Sequence, residues 1–488
     1  MKNGLYSELI DDNAVKHQIE SYNRFVDDRV EAILNEVGEI KPELPDGEDL
    51  VIKIVDVDID KPTINEADGS VREITPREAR MRDITYSSEI KVEMVPILEG
   101  IKEEPETVTI GEIPVMVGSD LCWSSDWDEQ EARENGEDSD DMGGYFIING
   151  SEKTLISMEE MADNVPVYQE DEDEVSCRIN SENEGYVQRT VLRLADDEEL
   201  VRISFANVQK TPAVALIRAL GRETDREVVE EIGDEYANTI YLNMYETGAS
   251  NQREAYEYLA NQAGVTNDVE ERIEKILDEY LLPHLGQEPD ARDEKAEFLG
   301  NLIRNTIALR EGDIKPDDMD HYANKRLQLA GELLEMQFRS VFLGKWGLLS
   351  RMKYNFKKSA KRGRLPSLQS TIVADTLTKQ VMGAMATGNW VGGRSGVCQR
   401  LERGNRIKTL SHLRNVLSPL SAERQHFEAR DLHPTQWGRI GSIKTPEGMN
   451  IGLRTHLAMS ADVSTGMNEM EKNSVRAKLE EAGVEARE

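Results

Sequence analysis

Charge in this 488-residue chain is segregated, and any fold must accommodate that segregation. Between His321 and Ser460 the sequence holds 23 Lys+Arg and 8 Asp+Glu, a balance of +15. The whole chain carries 58 basic and 94 acidic residues, so the remainder is strongly acidic, with 35 against 86. The densest basic run, Arg351 to Arg364 (RMKYNFKKSAKRGR), has seven basic residues and no acid. A chain that repels polyanions almost everywhere and gathers its positive charge in one region has the electrostatic footprint of a nucleic-acid surface.

The length exceeds what one hydrophobic core supports and implies roughly three domains. No apolar run approaches the ~18 residues that would span a bilayer. The start, MKNGLYSELIDDN, lacks the basic-then-apolar order of a signal peptide. Cys122, Cys177 and Cys398 lie far apart and form no CxxC pair, so neither a disulfide framework nor a thiolate zinc site is expected. These features point to the cytoplasm and to no membrane. The acids are spread through segments that also carry apolar periodicity, and Arg outnumbers Lys by 35 to 23. This is the composition of a folded protein with an acid-coated surface, as in a high-salt cytoplasm.

Val15 to Val37 has helical apolar spacing, whereas Val51–Ile59 (VIKIVDVDI) and Glu89–Ile97 (EIKVEMVPI) alternate as strands do. Ser124 to Asp141, with nine Asp/Glu, is expected as a solvated loop. Tyr145–Ile148 reads as a strand closed by Asn149-Gly150, a dipeptide that favours a tight turn. Glu174 to Lys210 reads as short strands, and Val214–Leu220 as a short helix capped by Gly221. Arg222 to Arg310 is expected to be mostly helical with a break at Leu281–Gly286. Tyr322 to Leu349 is expected to continue as one amphipathic helix. From Gly363 onward, recurrent Gly, Pro and Asn predict a loop-rich region.

The basic run Arg351, Lys353, Lys357, Lys358, Lys361, Arg362 and Arg364 would neutralise phosphates without specifying bases. Its competing reading is a solvated helix face. Thr387 to Gly396 (TGNWVGGRSG) lacks the GxxxxGK[ST] pattern, so no P-loop is supported, and a flexible turn is the simpler reading. His412, His433 and His456 are 21 and 23 residues apart and fit no local metal motif. The acids of the basic region are isolated and show no DxD-like spacing for magnesium. Composition alone stops at a large cytosolic nucleic-acid-binding protein with no complete catalytic centre.

Ordered strings go further. HFEAR (His426–Arg430) followed by DLHPTQWGRIGSIKTPEGMNIGL (Asp431–Leu453) resembles the second-largest subunit of multisubunit DNA-directed RNA polymerases. The same family order is followed by ITPREARMRDITYSSEI (Ile74–Ile90), IGEIPVMVGSDLC (Ile110–Cys122) and GGYFIINGSEKTLIS (Gly143–Ser157). LLPHLG, DHYANKRLQLAG (Asp320–Gly331), ATGNWVGGRSGVCQ (Ala386–Gln399) and TLSHLRNVLSPLS (Thr409–Ser421) complete it. The chain stops forty residues after TPEG, which resembles the N-terminal half of the split subunit found in some archaea.

The resemblance implies an α+β, multidomain architecture. A mixed helix and strand protrusion would occupy residues 1–170 and return at 332–389, around a lobe at 171–331. A loop-rich fork would follow at 390–460, then a tail at 461–488. By resemblance, Arg394, Gln399, Arg403, His412 and Arg414 lie along the hybrid and transcript path, and Arg430, Lys444 and Glu447 back the active-site wall. The fork loops correspond to Trp390–Gly396 and Ser421–Phe427. Departures include Gly441-Ser-Ile-Lys before TPEG, where the family has a Cys, a Pro and a Glu, together with Arg400, Glu402 and Asn415. The implied function is a non-autonomous core subunit of a DNA-dependent RNA polymerase, a nucleotidyltransferase that this chain would not perform alone. No catalytic residue and no metal ligand are expected here; Mg2+ is expected on the largest subunit. Partners would be the C-terminal half of the same subunit (B'), the largest-subunit chains, other polymerase subunits, DNA template and RNA transcript. The alternative is a stand-alone nucleic-acid-binding or scaffold protein derived from this subunit.

Overall fold

In the computed structural model, residues 14–42, 50–171, 173–183, 185–195, 199–360, 366–466 and 469–482 are described. The chain divides into two units, Met1–Glu159 with Leu327–Glu488, and Glu160–Arg326.

In the first unit the helical spacing of the N-terminal segment gives the helix Lys16–Arg24, a π turn at Phe25–Arg29 and the helix Val30–Glu36. The wider turn adds one residue, which brings Val30 into line with Phe25, so that Tyr22, Phe25, Val30, Ile33 and Leu34 are all buried. Against this helix packs Ala330–Leu343, from more than three hundred residues away. Gly331 makes the approach possible: a Cβ there would stand 1.8 Å from the Ser21 carbonyl oxygen. Its N–H donates to Ser21 Oγ at 2.9 Å, and the Phe25 and Phe338 rings meet edge to face at 6.2 Å.

The same core covers an antiparallel sheet in which Leu50–Ile59 and Glu106–Pro114 flank Ser87–Leu98. Alternation sends Ile90, Val92 and Met94 inward. Asn149 and Gly150, both at positive φ, turn Phe146–Ile148 back onto Ser151–Leu155 as expected. Cys398–Arg400 joins the far side of that hairpin, and Asn415–Leu417 runs parallel to Ser157–Met161 with Arg454–His456 antiparallel to it. The loop-rich region is therefore woven strand by strand into the earlier chain. Cys122, Cys177 and Cys398 are buried and unpaired.

Two expectations are corrected. Tyr322–Leu349 is not one helix: Lys325–Gln328 is extended, the helix Ala330–Leu343 follows, and another starts at Leu348. The Leu329 backbone is extended and its N–H donates to Glu332, and the chain leaves the helix at Gly344, φ −56° and ψ 158°. Apolar residues on both sides of these breaks happen to continue one stripe. Nor is Ser124–Asp141 a solvated loop. It holds a 3-10 turn at Trp123–Asp126 and the helix Glu129–Glu134, closed by a capping box between Asp128 and Glu131. Arg80 Nη1 then donates to both Glu137 oxygens at 2.9 Å; Glu137 and Asp141 are half-buried, while the other seven acids of the stretch are exposed, as a solvated segment requires.

The second unit is an antiparallel meander, Val167–Glu170, Glu174–Asn183, Tyr186–Ala195, Arg202–Phe205 and Val208–Pro212. Two of these strands are ten residues long, longer than the sequence suggested. One sheet face packs on helices that include Ala213–Ala219, Asp225–Ile232, Gln252–Ala263 and Arg292–Glu311. The expected break sits at Leu282, φ +48°, and the short turn Pro283–Leu285. Among the described residues no helix is long and apolar enough to cross a membrane.

Candidate nucleic-acid interface

The basic run begins on the helix Leu348–Ala360. Leu348, Met352 and Phe356, spaced by four, bury one stripe in the first unit's core. Arg351, Lys353, Tyr354, Lys357 and Lys358 are exposed on the rest of its surface. Arg351 Nη1 also donates to Thr376 Oγ1 at 3.1 Å and Asn355 Nδ2 to the Thr371 carbonyl at 2.9 Å, which fix the helix against its neighbour. The remaining members of the run, Lys361, Arg362 and Arg364, lie outside the described residues.

The glycine-rich string is a closed turn. The helix Asp375–Thr387 stops at Gly388, φ +78°, where a Cβ would meet the Cys398 carbonyl oxygen at 2.6 Å. The Trp390 indole is buried and donates to the Leu333 carbonyl at 2.8 Å. Gly392 and Gly393, φ +75° and +73°, reverse the chain so that Trp390 N–H reaches the Arg394 carbonyl at 2.8 Å. Arg394 Nη1 in turn donates to the Val391 carbonyl at 2.9 Å.

Gln399 and His412 meet. His412, on the helix Arg406–Leu413, is buried; its Nδ1 accepts from the Glu402 N–H at 3.3 Å and its Nε2 lies 3.3 Å from Gln399 Oε1. An accepting Nδ1 assigns the proton to Nε2, which then donates to Gln399. Burial, the largest influence, lowers the His412 pKa, so this ring is a neutral structural donor.

Three arginines that the resemblance places on the transcript path (Arg403, Arg414) or the active-site wall (Arg430) have partners within the chain. Arg403 donates to Glu152 from Nε at 2.7 Å and to Asp141 from Nη2 at 3.0 Å, with its guanidinium 4.7 Å from the centre of the Tyr145 ring. On the same cluster Arg80 binds Glu137 and Glu152 and donates to Tyr145 Oη at 2.6 Å. Arg414 is 7% exposed and donates to the carbonyls of Ala14 at 2.9 Å and Ala458 at 2.7 Å. Arg430 donates to the carbonyls of Met449 at 2.7 Å, Ile451 at 2.8 Å and Ala422 at 3.1 Å. The physical reason is common to the three: a planar fork of five donors gathers several acceptors, and here the acceptors are loop carbonyls or long-range carboxylates.

Around TPEG, Lys444 is exposed and donates to Ser411 Oγ, and Thr445 Oγ1 bridges the Arg454 carbonyl (3.0 Å) and the Gly452 N–H (2.8 Å). Glu447 is exposed at the start of a short turn. Burial first, then Lys444, pushes the His456 pKa down to about 4. Among the described residues no three His, Cys, Asp or Glu converge as a metal donor set.

Two features escaped sequence reasoning. The Arg80–Glu137–Glu152–Arg403 cluster joins residues more than three hundred positions apart at its extremes, and no local pattern signals it. The loops around TPEG also leave large apolar side chains uncovered: Phe427 at 71%, Trp437 at 65%, Ile443 at 92% and Met449 at 69% exposure. Their types were visible in the sequence, but their exposure was not.

Comparison with known proteins agrees with the ordered strings. A family model described as RNA polymerase beta subunit matches residues 13–379, and one described as RNA polymerase Rpb2, domain 3, matches residues 399–463. DNA-directed RNA polymerase subunit Rpo2N of Methanothermobacter thermautotrophicus is 40% identical over 94% of this chain and 94% of its own length. Subunit Rpo2N of Halobacterium salinarum is 38% identical over 96% of this chain and 93% of its own length. Subunit Rpo2 of Sulfolobus acidocaldarius is 40% identical over 96% of this chain, yet the match takes up only 42% of that longer protein. With matches along nearly its whole length, the chain belongs to the RNA polymerase beta-subunit family, corresponding to the N-terminal half of a subunit that is continuous in some relatives and split in others.

Proposed function

We propose that this chain is a non-autonomous core subunit of a multisubunit DNA-dependent RNA polymerase, helping to hold DNA and the DNA–RNA hybrid during template-directed synthesis. The observation that carries this reading is the exposed basic helix face of Arg351, Lys353, Lys357 and Lys358, set in a chain with a net charge of −36. Lysines on a rigid helix neutralise phosphates without reading bases, as an enzyme that copies any sequence requires. Residues 160–326 would be the lobe, the rest of the chain up to about 389 the protrusion, and the woven loops after it the fork.

In this reading Gln399, His412, Arg403, Arg414 and Arg430 act indirectly, by fixing the fork loops that present Lys444 and Glu447. Magnesium would be held by the largest subunit; the described residues here offer no donor set, and no chemical step is assigned to them. The uncovered Phe427, Trp437, Ile443 and Met449 suit a permanent partner, because large apolar side chains left in water are costly. The C-terminal half of the subunit would cover them, since the longer Sulfolobus relative continues well past the matched part.

The test is charge reversal at Lys353, Lys357 and Lys358 to Glu in a polymerase reconstituted with all its subunits. These side chains are exposed, so folding should be unaffected within about 0.5 kcal/mol per site. Elongation complexes should dissociate faster, and their lifetime should depend less steeply on salt. Unchanged lifetimes at every salt concentration would remove the helix from the nucleic-acid path.

A further inference from the structure

The sheet of the unit Glu160–Arg326 runs past the helices that cover it, and a cavity opens at the overhang. On the strand Tyr186–Ala195, Thr190, Leu192 and Leu194 alternate onto the covered face and are buried. Tyr186 and Gln188 continue the same face, yet Tyr186 is 45% exposed. The helix Val269–Glu279 reaches them with one stripe, Arg272 and Ile276 and, at its end, Tyr280, spaced by four. The turn at Ala206 and Asn207, and Val265 from the loop before that helix, bound the sides. The open cavity between them has a volume of about 470 Å³, within the range of small-molecule sites.

The lining is chemically unlike its surroundings. The unit holds 39 Asp+Glu against 18 Lys+Arg, but among the described residues no acid lines the cavity, whereas Arg272 and Lys275 do. The Arg272 guanidinium has no hydrogen-bond or carboxylate partner among the described residues. Lys275 is loosely held by Glu279, at 3.6 Å on exposed surface. The Tyr186 and Tyr280 rings meet edge to face, 6.5 Å apart at 74°. Such a pair uses the face of one ring only, so the other ring keeps both faces for a third aromatic group. The Tyr186 hydroxyl donates to Gln188 Oε1 at 3.5 Å, and the Asn207 amide has no partner among the described residues. Val265 and Ile276 give an apolar floor that continues into the unit's core.

We infer that this cavity is a binding site for a free nucleoside di- or triphosphate, with the base on the tyrosine pair and the phosphates on Arg272 and Lys275. A bare anion would need the cations alone, and an apolar ligand the tyrosines alone. A molecule with a flat ring at one end and concentrated negative charge at the other uses both. Arg272 and Tyr280 are eight residues apart, about 12 Å at ~1.5 Å per residue, so base and phosphates fit along the helix. The guanidinium fork takes two phosphate oxygens at once, and the Gln188 and Asn207 amides can pair with a base edge. The site shares no residue with the basic helix Leu348–Ala360 or the loops around TPEG, and it is independent of the polymerase reading. A nucleotide held here is a ligand of the chain, not the substrate of synthesis.

The experiment uses the full chain, with ATP as the probe in titration calorimetry at a salt concentration where circular dichroism stays native. Arg272→Ala should weaken ATP binding about 10–100-fold through lost charged hydrogen bonds. Tyr186→Ala should weaken it about tenfold through lost stacking, whereas Tyr186→Phe keeps the ring and should bind nearly as wild type. Adenosine and tripolyphosphate, each carrying one part of the ligand, should both bind more weakly than ATP by about tenfold or more. Arg226→Ala, on another exposed helix surface of the unit, is the control and should change nothing. Arg272 and Tyr186 are exposed, so their variants should keep the wild-type melting curve. On the unaltered chain, photocrosslinking with 8-azido-ATP should label peptides containing Tyr186 or Tyr280. Label confined to other peptides, tripolyphosphate binding as tight as ATP, or unchanged affinity in Arg272→Ala or Tyr186→Ala would each overturn the inference. So would an acidic peptide bearing one tryptophan that suppresses the crosslink at a lower concentration than ATP.

Discussion

Replacing Arg414 with alanine separates an internal clamp from a nucleic-acid contact. The guanidinium ties its own segment to two distant stretches through the carbonyls of Ala14 and of Ala458 and Ala461. Two of those bonds are shorter than 3 Å. A hydrogen bond from a charged donor contributes about 1.5–3 kcal/mol, and truncation also strands the acceptors. Release of a buried cation offsets part of this, because burial already lowers the Arg414 pKa. A net loss of about 3 kcal/mol is expected. The unit concerned has about 320 residues; at ~2.1 cal/mol/K per residue its unfolding entropy is roughly 0.7 kcal/mol/K, so Tm should fall by about 4–5 °C. Arg414→Lys should recover little, because an ammonium does not reproduce the fork. The assay pairs calorimetry of the full chain with the salt dependence of elongation-complex lifetime. A Tm within 1 °C of wild type together with a salt slope flatter by about one phosphate contact would refute the clamp and return Arg414 to the transcript path.

Further outcomes follow from other buried positions. His17 is 5% exposed, and burial, followed by Arg414, pushes its pKa down to about 3. The folded chain keeps this ring neutral whereas the unfolded chain protonates it near 6.5, so its contribution is complete above pH 6.5 and is lost as pH falls towards 3, by at most ~1.4 kcal/mol per pH unit. His17→Gln should therefore lose less stability than wild type between pH 7 and pH 5 in urea titrations; identical losses would contradict the assignment. Gly331→Ala should cost about 3 kcal/mol or more, because the new methyl meets the Ser21 carbonyl oxygen. A urea midpoint equal to wild type would show that the two helices separate freely.

Local periodicity carried much of the fold. The alternation in Val51–Ile59 and Glu89–Ile97 became the strands Leu50–Ile59 and Ser87–Leu98, and Val15–Val37 became a helical run. What periodicity missed was non-local. Nothing near Ser124–Asp141 announces that Arg80 and Arg403 anchor Glu137 and Asp141, so a run of mostly exposed acids read as a loop throughout. The stripe from Tyr322 to Leu349 looked continuous because the breaks at Leu329 and Gly344 depend on capping and backbone angles. The charge pattern located a basic run whose described part lies on an exposed helix, but it could not separate Lys353 and Lys357, which face solvent, from Arg414, which faces carbonyls. Arginine has the same letter in both settings; only the acceptors around it differ.

The central claim is that this chain works as one part of a polymerase, and affinity purification of a tagged copy from its native cells at native salt tests it directly. The account predicts stoichiometric recovery of the C-terminal half of the subunit and the largest-subunit chains, with template-directed incorporation by the complex and none by the isolated chain. Recovery of the chain alone, or incorporation by the isolated chain with magnesium and template, would contradict it.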